Sequence, residues 1–83
     1  MSLQENLSYM VNEIQNVPYM DHKGRKYRFT LSDLYRGYIW KNIELKERIT
    51  LGTMFYDWAK NEGKEIVVPD GKTAQGQQLY RRV

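Results

Sequence analysis

The run TLGTMFYDWAKNEGKEIVVPDGKTAQGQQLYRRV, residues 50–83, holds a helix and a hairpin back to back. Thr50 can cap the helix. Leu51, Phe55, Trp58 and Ala59 then fall at i, i+4, i+7 and i+8, which is one helical face. Thr53, Asp57 and Lys60 take the opposite face, and Gly63 after Asn61-Glu62 is a C-terminal stop. Lys64 to Val68 reads as a strand ended by the turn signal Pro69-Asp70-Gly71. Gln77 to Val83 returns as its partner, with Leu79 and Val83 on one face and Tyr80 and Arg82 on the other. The polar stretch Gly71–Gly76 between them is a flexible hairpin tip.

Upstream, Ser2 with Glu5 three residues on fits a capping box. Leu3, Leu7, Met10, Ile14 and Val17 follow at alternating steps of four and three, an apolar stripe that Pro18 terminates. The stripe is about two heptads long, too short for a free-standing coiled coil, so it covers either the domain's own core or a second copy of itself. Residues 19–25 read as a connection with its turn at Gly24. Lys26 to Thr30 alternates polar and aromatic residues as a half-buried strand does, with Tyr27 and Phe29 facing in. Thr30 with Asp33, or Ser32, can cap a second helix reaching Trp40 or Asn42, with Gly37 inside it at a cost of about 1 kcal/mol against Ala. Residues 42–48 are a connection or an early extra turn of the third helix.

Eighty-three residues make one domain, 1–83. Its small core leans on seven Tyr, two Trp and two Phe. The absence of cysteine excludes disulfides and Cys-ligated zinc, and a single His, His22, cannot build a multi-imidazole site, so no metal or cofactor is expected. No apolar run approaches the roughly 20 residues of a membrane span, and no basic region followed by an apolar stretch opens the chain. A cytoplasmic protein is the expectation. Asp21 and His22 adjoin without a nucleophile at a meaningful spacing, and Gly71 and Gly76 do not form a phosphate-cradling loop, so no enzyme is expected.

The net charge is +3, with a pI near 9.2. Residues 1–18 hold Glu5 and Glu13 and no Lys or Arg, whereas residues 19–48 hold eight Lys and Arg against four acids. The C-terminal hairpin adds Lys64, Lys72, Arg81 and Arg82 against Glu65 and Asp70. Positive charge is therefore concentrated before the third helix and in the hairpin, as ordinary solvated surface or as a two-part phosphate-binding face.

The element order is helix–strand–helix–helix–strand–wing–strand. It is similar to that of winged helix-turn-helix domains, an α+β fold of three helices and a small antiparallel sheet. That likeness implies a non-enzymatic, regulatory protein bound to double-stranded DNA, with a homodimer through the first helix as one arrangement. Arg48, Thr50, Thr53 and Lys60 would enter or flank the groove, Lys72, Arg81 and Arg82 would hold phosphate, and Gln75 would reach from the hairpin tip. Asp57 on the third helix would repel phosphate. The same fold would also serve a protein–protein interaction module, such as a phage- or mobile-element-encoded adaptor or inhibitor. Tyrosines such as Tyr9, Tyr56 and Tyr80 would suit stacking on single-stranded bases, or the edges of a core.

The segments Phe29-Thr30-Leu31-Ser32-Asp33-Leu34-Tyr35-Arg36-Gly37-Tyr38-Ile39-Trp40 and Arg48-Ile49-Thr50-Leu51-Gly52-Thr53-Met54-Phe55 resemble a small uncharacterised family of Gram-positive bacteria, their phages and mobile elements. The resemblance spans residues 27–80 and rests on aromatic and small residues. It implies a shared fold, in which Gly52 opposite Trp40 lets the second and third helices approach, and it carries no site residues.

Overall fold

The computed structural model describes residues 2–83; Met1, the first residue of the expected 1–83 domain, lies outside them. The described chain is α+β. Helix α1 (Leu3–Glu13) and helix α2 (Leu45–Lys60) accompany a three-stranded antiparallel sheet of β1 (Arg28–Phe29), β2 (Val67–Lys72) and β3 (Gln78–Arg82), in the order β1-β3-β2. No helix among the described residues is long and apolar enough to cross a membrane.

The Ser2–Glu5 box forms in both directions: the Glu5 N–H donates to Ser2 Oγ at 3.1 Å and the Ser2 N–H to Glu5 Oε1 at 3.0 Å. These bonds favour the charged carboxylate and hold Glu5 below its ordinary pKa. After Glu13 the helix tightens into a 3-10 turn, Ile14–Asn16, and Val17 becomes extended ahead of Pro18. Met10 and Ile14 are buried, and Leu3, Leu7 and Val17 pack against the same core. The stripe thus lies on the domain's own core, the first of the two arrangements that its length allows.

The connection turned at Gly24 folds back on itself as a tight loop over residues 19–27. The Asp21 carboxylate accepts from the N–H groups of Lys23 and Arg25 and from Arg25 Nε, all at 2.8–2.9 Å, and its pKa is lowered by those bonds. Met20 bridges Lys26 across the loop, and Gly24 turns it with φ +78°.

The segment expected as the second helix is not an α-helix. It makes two 3-10 turns, Leu31–Leu34 and Trp40–Asn42. Asp33 accepts from the Thr30 N–H at 2.9 Å, as the cap spacing suggests, but Tyr35 is extended and Gly37 takes φ +47°. That left-handed step breaks the helical face on which Leu31, Leu34 and Tyr38 would have aligned. Leu31, Leu34 and Tyr35 stay buried while Tyr38 is 73% exposed. Tyr35 gains from the break. Its ring sits 5.0 Å from Tyr9 and 5.4 Å from Trp40, and its hydroxyl donates to Asn6 Oδ1 at 2.9 Å. Asn6 is itself buried and donates Nδ2 to the Ser2 carbonyl. The described chain therefore has two α-helices, and the helix preceding α2 in a helix-turn-helix is missing.

Burial raises the pKa of both Tyr35 and Tyr80 to about 12, because the anionic phenolate is poorly solvated inside the core. The unfolded chain ionises these groups near 10. Their stabilisation is thus complete below about pH 10 and lost as pH climbs through about 12. Urea unfolding across that interval should show falling stability. Tyr35→Phe should reduce the fall, while costing about 1–2 kcal/mol near neutral pH by stranding the Asn6 carbonyl. An unchanged alkaline slope in this variant would mean that Tyr35 ionises freely in the folded protein.

Helix α2 begins at Leu45, five residues before Thr50. Extended Glu44 stands at the N-cap and Glu47 favours the first turn. Thr50 is not a cap: its hydroxyl donates to the Lys46 carbonyl at 3.0 Å within the helix. Leu51, Phe55 and Ala59 are buried as their spacing implies, and Tyr80 meets Phe55 edge-on at 4.9 Å and Phe29 at 6.1 Å. Past α2 the chain turns through residues 61–66, so β2 starts at Val67 and not at Lys64. Pro69-Asp70-Gly71 does not turn the chain but sits in a bulged part of β2, with Gly71 at φ +83°. The reversal falls later, where Thr73 bonds Gln77 and Gly76.

Candidate functional site

Helix α2 buries one face and leaves another open. Leu45 and Ile49 on the open face are 64% and 62% exposed. The β2–β3 hairpin stands beside this face and the 3-10 turn at Leu31–Leu34 borders it, leaving a cleft of about 680 Å³. That size suits a small ligand or the anchoring side chains of a peptide. Leu45, Arg48, Ile49, Gly52, Thr53 and Tyr56 form the helix wall. Lys72 and Gly76 to Gln78 form the hairpin wall, and Trp40, Leu31 and the hydroxyl residues Thr30 and Ser32 complete the lining.

Three of the eight residues expected at a nucleic-acid face meet here: Arg48, Thr53 and Lys72. The other five do not. Thr50 is exposed and bonded back to its own helix. Lys60 lies near the C-terminal end of α2, with Nζ 5.3 Å from the Tyr56 ring centre. Gln75 is at the hairpin tip, outside the cleft. Arg81 points to the opposite side of β3 from Tyr80, beside Arg28 in register, and its Nε lies 3.4 Å from Asp70 Oδ2. Arg82 is bound within the chain. Its guanidinium donates to the Val17 carbonyl at 3.0 Å and the Gln15 carbonyl at 3.4 Å, and its centre lies 4.2 Å over the Tyr19 ring. It fastens the last strand to the 3-10 turn that follows α1 and the residue after it, so this guanidinium is engaged within the chain.

The electrostatics of the cleft are one-sided. Arg48 and Lys72 line it, and no Asp or Glu does. Neither cation makes an ion pair among the described residues, and Arg48 Nε is buried without a hydrogen-bond partner. Glu44 and Glu47 line a separate, smaller recess beside Asn6 and Ile43. The cleft holds no carboxylate or imidazole able to move a proton.

Gly52 is the least expected wall residue. It lies in the middle of α2, where glycine costs about 1 kcal/mol against alanine. No atom lies within 4 Å of where its Cβ would be, so it does not admit a neighbouring helix, as its place opposite Trp40 had suggested. Its missing side chain opens the cleft instead. Leu45, Ile49, Gly52 and Tyr56 are spaced by four, three and four, a second helical stripe. A helix beginning at Thr50 would hold only half of that stripe; the early extra turn from Leu45 supplies the rest.

The fold and cleft define a small α+β domain whose recess lies between one helix and a hairpin. The chain belongs to the family described as Domain of unknown function (DUF1413), whose pattern matches residues 12–82. No curated protein and no solved structure matches it.

Proposed function

We propose that this chain is a non-enzymatic protein-interaction module that seats a segment of a partner protein in the helix–hairpin cleft. The carrying observation is the exposed apolar wall of α2, with Leu45 and Ile49 more than 60% open to solvent inside a concave recess. Exposed aliphatic side chains grouped in a recess favour burial by a partner. A helix reading base edges needs hydrogen-bonding side chains on its outward face, and aliphatics offer little beyond contact with thymine methyls.

DNA binding by α2 and the hairpin, without the preceding helix of a winged helix-turn-helix, stands second. It is favoured by a hairpin flanking a helix, with Lys72 and Arg48 between them. It is weakened by the internal use of Arg82 and the pairing of Arg81 with Asp70.

Two measurements separate the readings. Random peptides displayed on phage and selected on the folded chain should yield binders that no longer bind Leu45→Asp, a substitution at an exposed position that the core does not need. Fluorescence anisotropy with random duplex DNA should show no binding near physiological salt. Duplex binding with a log–log salt slope of about −0.9 per phosphate, reduced by Lys72→Gln, would overturn the proposal in favour of DNA.

A further inference from the structure

We infer that the segment received by the cleft is acidic as well as apolar: one or more Asp or Glu side chains adjoining a Leu- or Phe-like anchor. This rests on the interaction-module reading and specifies its partner. The first support is charge sorting. The chain carries ten Asp and Glu, yet none lines the cleft, while one cation stands on each wall, Arg48 on the helix and Lys72 on the hairpin. Asp33 and Asp57 adjoin the lining residues Ser32 and Tyr56 without lining the cleft, and the acids nearest Arg48 and Lys72 in sequence are held elsewhere. Glu44 and Glu47 line the recess beside Ile43, and Asp70 meets Arg81 on the outer face of the sheet.

The second support is an unpaired guanidinium. Arg48 Nε is buried and unpartnered, although the residue as a whole is half-buried. The guanidinium makes no ion pair among the described residues, and a planar carboxylate can meet such a group with two parallel bonds. Its stem can lie along the apolar wall while its head meets charge. Gln78 competes little for such a ligand, because its Nε2 already donates to the Gly71 and Leu79 carbonyls.

The third support is the combination of the two surfaces. Phosphate would satisfy the cations and leave Leu45 and Ile49 facing water or polar backbone. A neutral apolar peptide would cover the aliphatics and leave two cations partly desolvated without a counter-charge. An acidic segment with an apolar anchor satisfies both at once, and the net charge of +3 would also speed its approach.

The test uses the same phage-displayed random peptides, read for composition. Binders to the wild-type chain should be enriched in Asp and Glu next to Leu, Ile, Phe or Trp. As synthetic peptides they should weaken about five- to tenfold on Arg48→Gln, and further on the Arg48→Gln, Lys72→Gln double variant, with backbone amide NMR spectra showing both variants folded. Exchanging the peptides' Asp and Glu for Asn and Gln should weaken wild-type binding by a similar factor. Neutral or basic binders that lose affinity on Leu45→Asp but ignore Arg48→Gln would overturn the acidic partner and leave the module reading intact. Binders indifferent to Leu45→Asp, or an absence of binders, would overturn both. Concentration-dependent self-association abolished by Leu45→Asp would make the occupant a second copy of the chain and also overturn the inference.

Discussion

Replacing Gly52 with leucine is expected to weaken partner binding at least tenfold while leaving the protein folded and no less heat-stable. Ordinarily a larger side chain inside a small domain endangers the fold. Here the position is a helix interior with open space where the Cβ would be. Leucine recovers most of the roughly 1 kcal/mol that glycine forfeits in a helix, which for a domain of this size is a few degrees in Tm at most once the exposed apolar surface is counted. The new side chain projects into the recess between Ile49 and Tyr56, where the proposal seats the partner's anchor. Affinity for the selected peptides should fall at least tenfold, about 1.4 kcal/mol. Gly52→Ala should show the same pair of effects more weakly. Unchanged affinity in a folded Gly52→Leu protein would mean that the partner does not use the cleft. A large drop in Tm would mean that the glycine serves the fold.

Gly63→Ala is expected to be among the most destabilising single-methyl changes in the chain. Gly63 is buried and is not among the glycines with positive φ. A backbone argument alone would make alanine stabilising there, by about 0.4–1 kcal/mol through the unfolded state. Sterics reverse the sign. A Cβ on Gly63 would lie 2.5 Å from two ring carbons of Trp58 and 2.7 Å from a third. The indole cannot shift without disturbing its contact with Phe55, 5.4 Å between ring centres. The Gly63 backbone also anchors the turn into β2, its N–H donating to the Trp58 carbonyl and its carbonyl accepting from Ile66 and Val67. A loss of about 2–3 kcal/mol follows, on the order of 10–20 °C in Tm for a domain this small. A double-mutant cycle with Trp58→Leu isolates the cause. In that background Gly63→Ala should cost far less, and an equal cost in both backgrounds would put the penalty in the backbone.

Much of the architecture follows from local chemistry. The first helix, its capping box, its inward stripe and its end before Pro18 all come from short-range patterns, and the structure carries each of them. The buried face of α2 at Leu51, Phe55 and Ala59 and the antiparallel closing strands were equally legible. The segment 31–42 was not. Its apolar spacing suits a helix, but Gly37 can turn left-handed and Tyr35 has a buried partner in Asn6, 29 residues away in sequence. No local pattern reports that bond. The strand runs past Pro69 for a related reason. Pro69-Asp70-Gly71 is turn chemistry in isolation, and pairing with β3 absorbs it as a bulge.

The candidate site divides in the same way. Arg48, Thr53 and Lys72 could be named from residue type and element order, since cations and hydroxyls beside a helix and hairpin are visible in the chain. What each remaining cation does could not. Arg81 and Arg82 are neighbours, yet strand alternation sends one to Asp70 on the outer face and the other to the carbonyls that follow α1. The sequence by itself determined the α+β class, the amphipathic faces and the net positive charge, because these depend on composition and on neighbours a few residues apart. Only the tertiary structure decided that Leu45 and Ile49 stay exposed beside Arg48 and Lys72 while every acid lies elsewhere. Such an arrangement depends on how separate elements pack, and packing is a property of distant residues brought together.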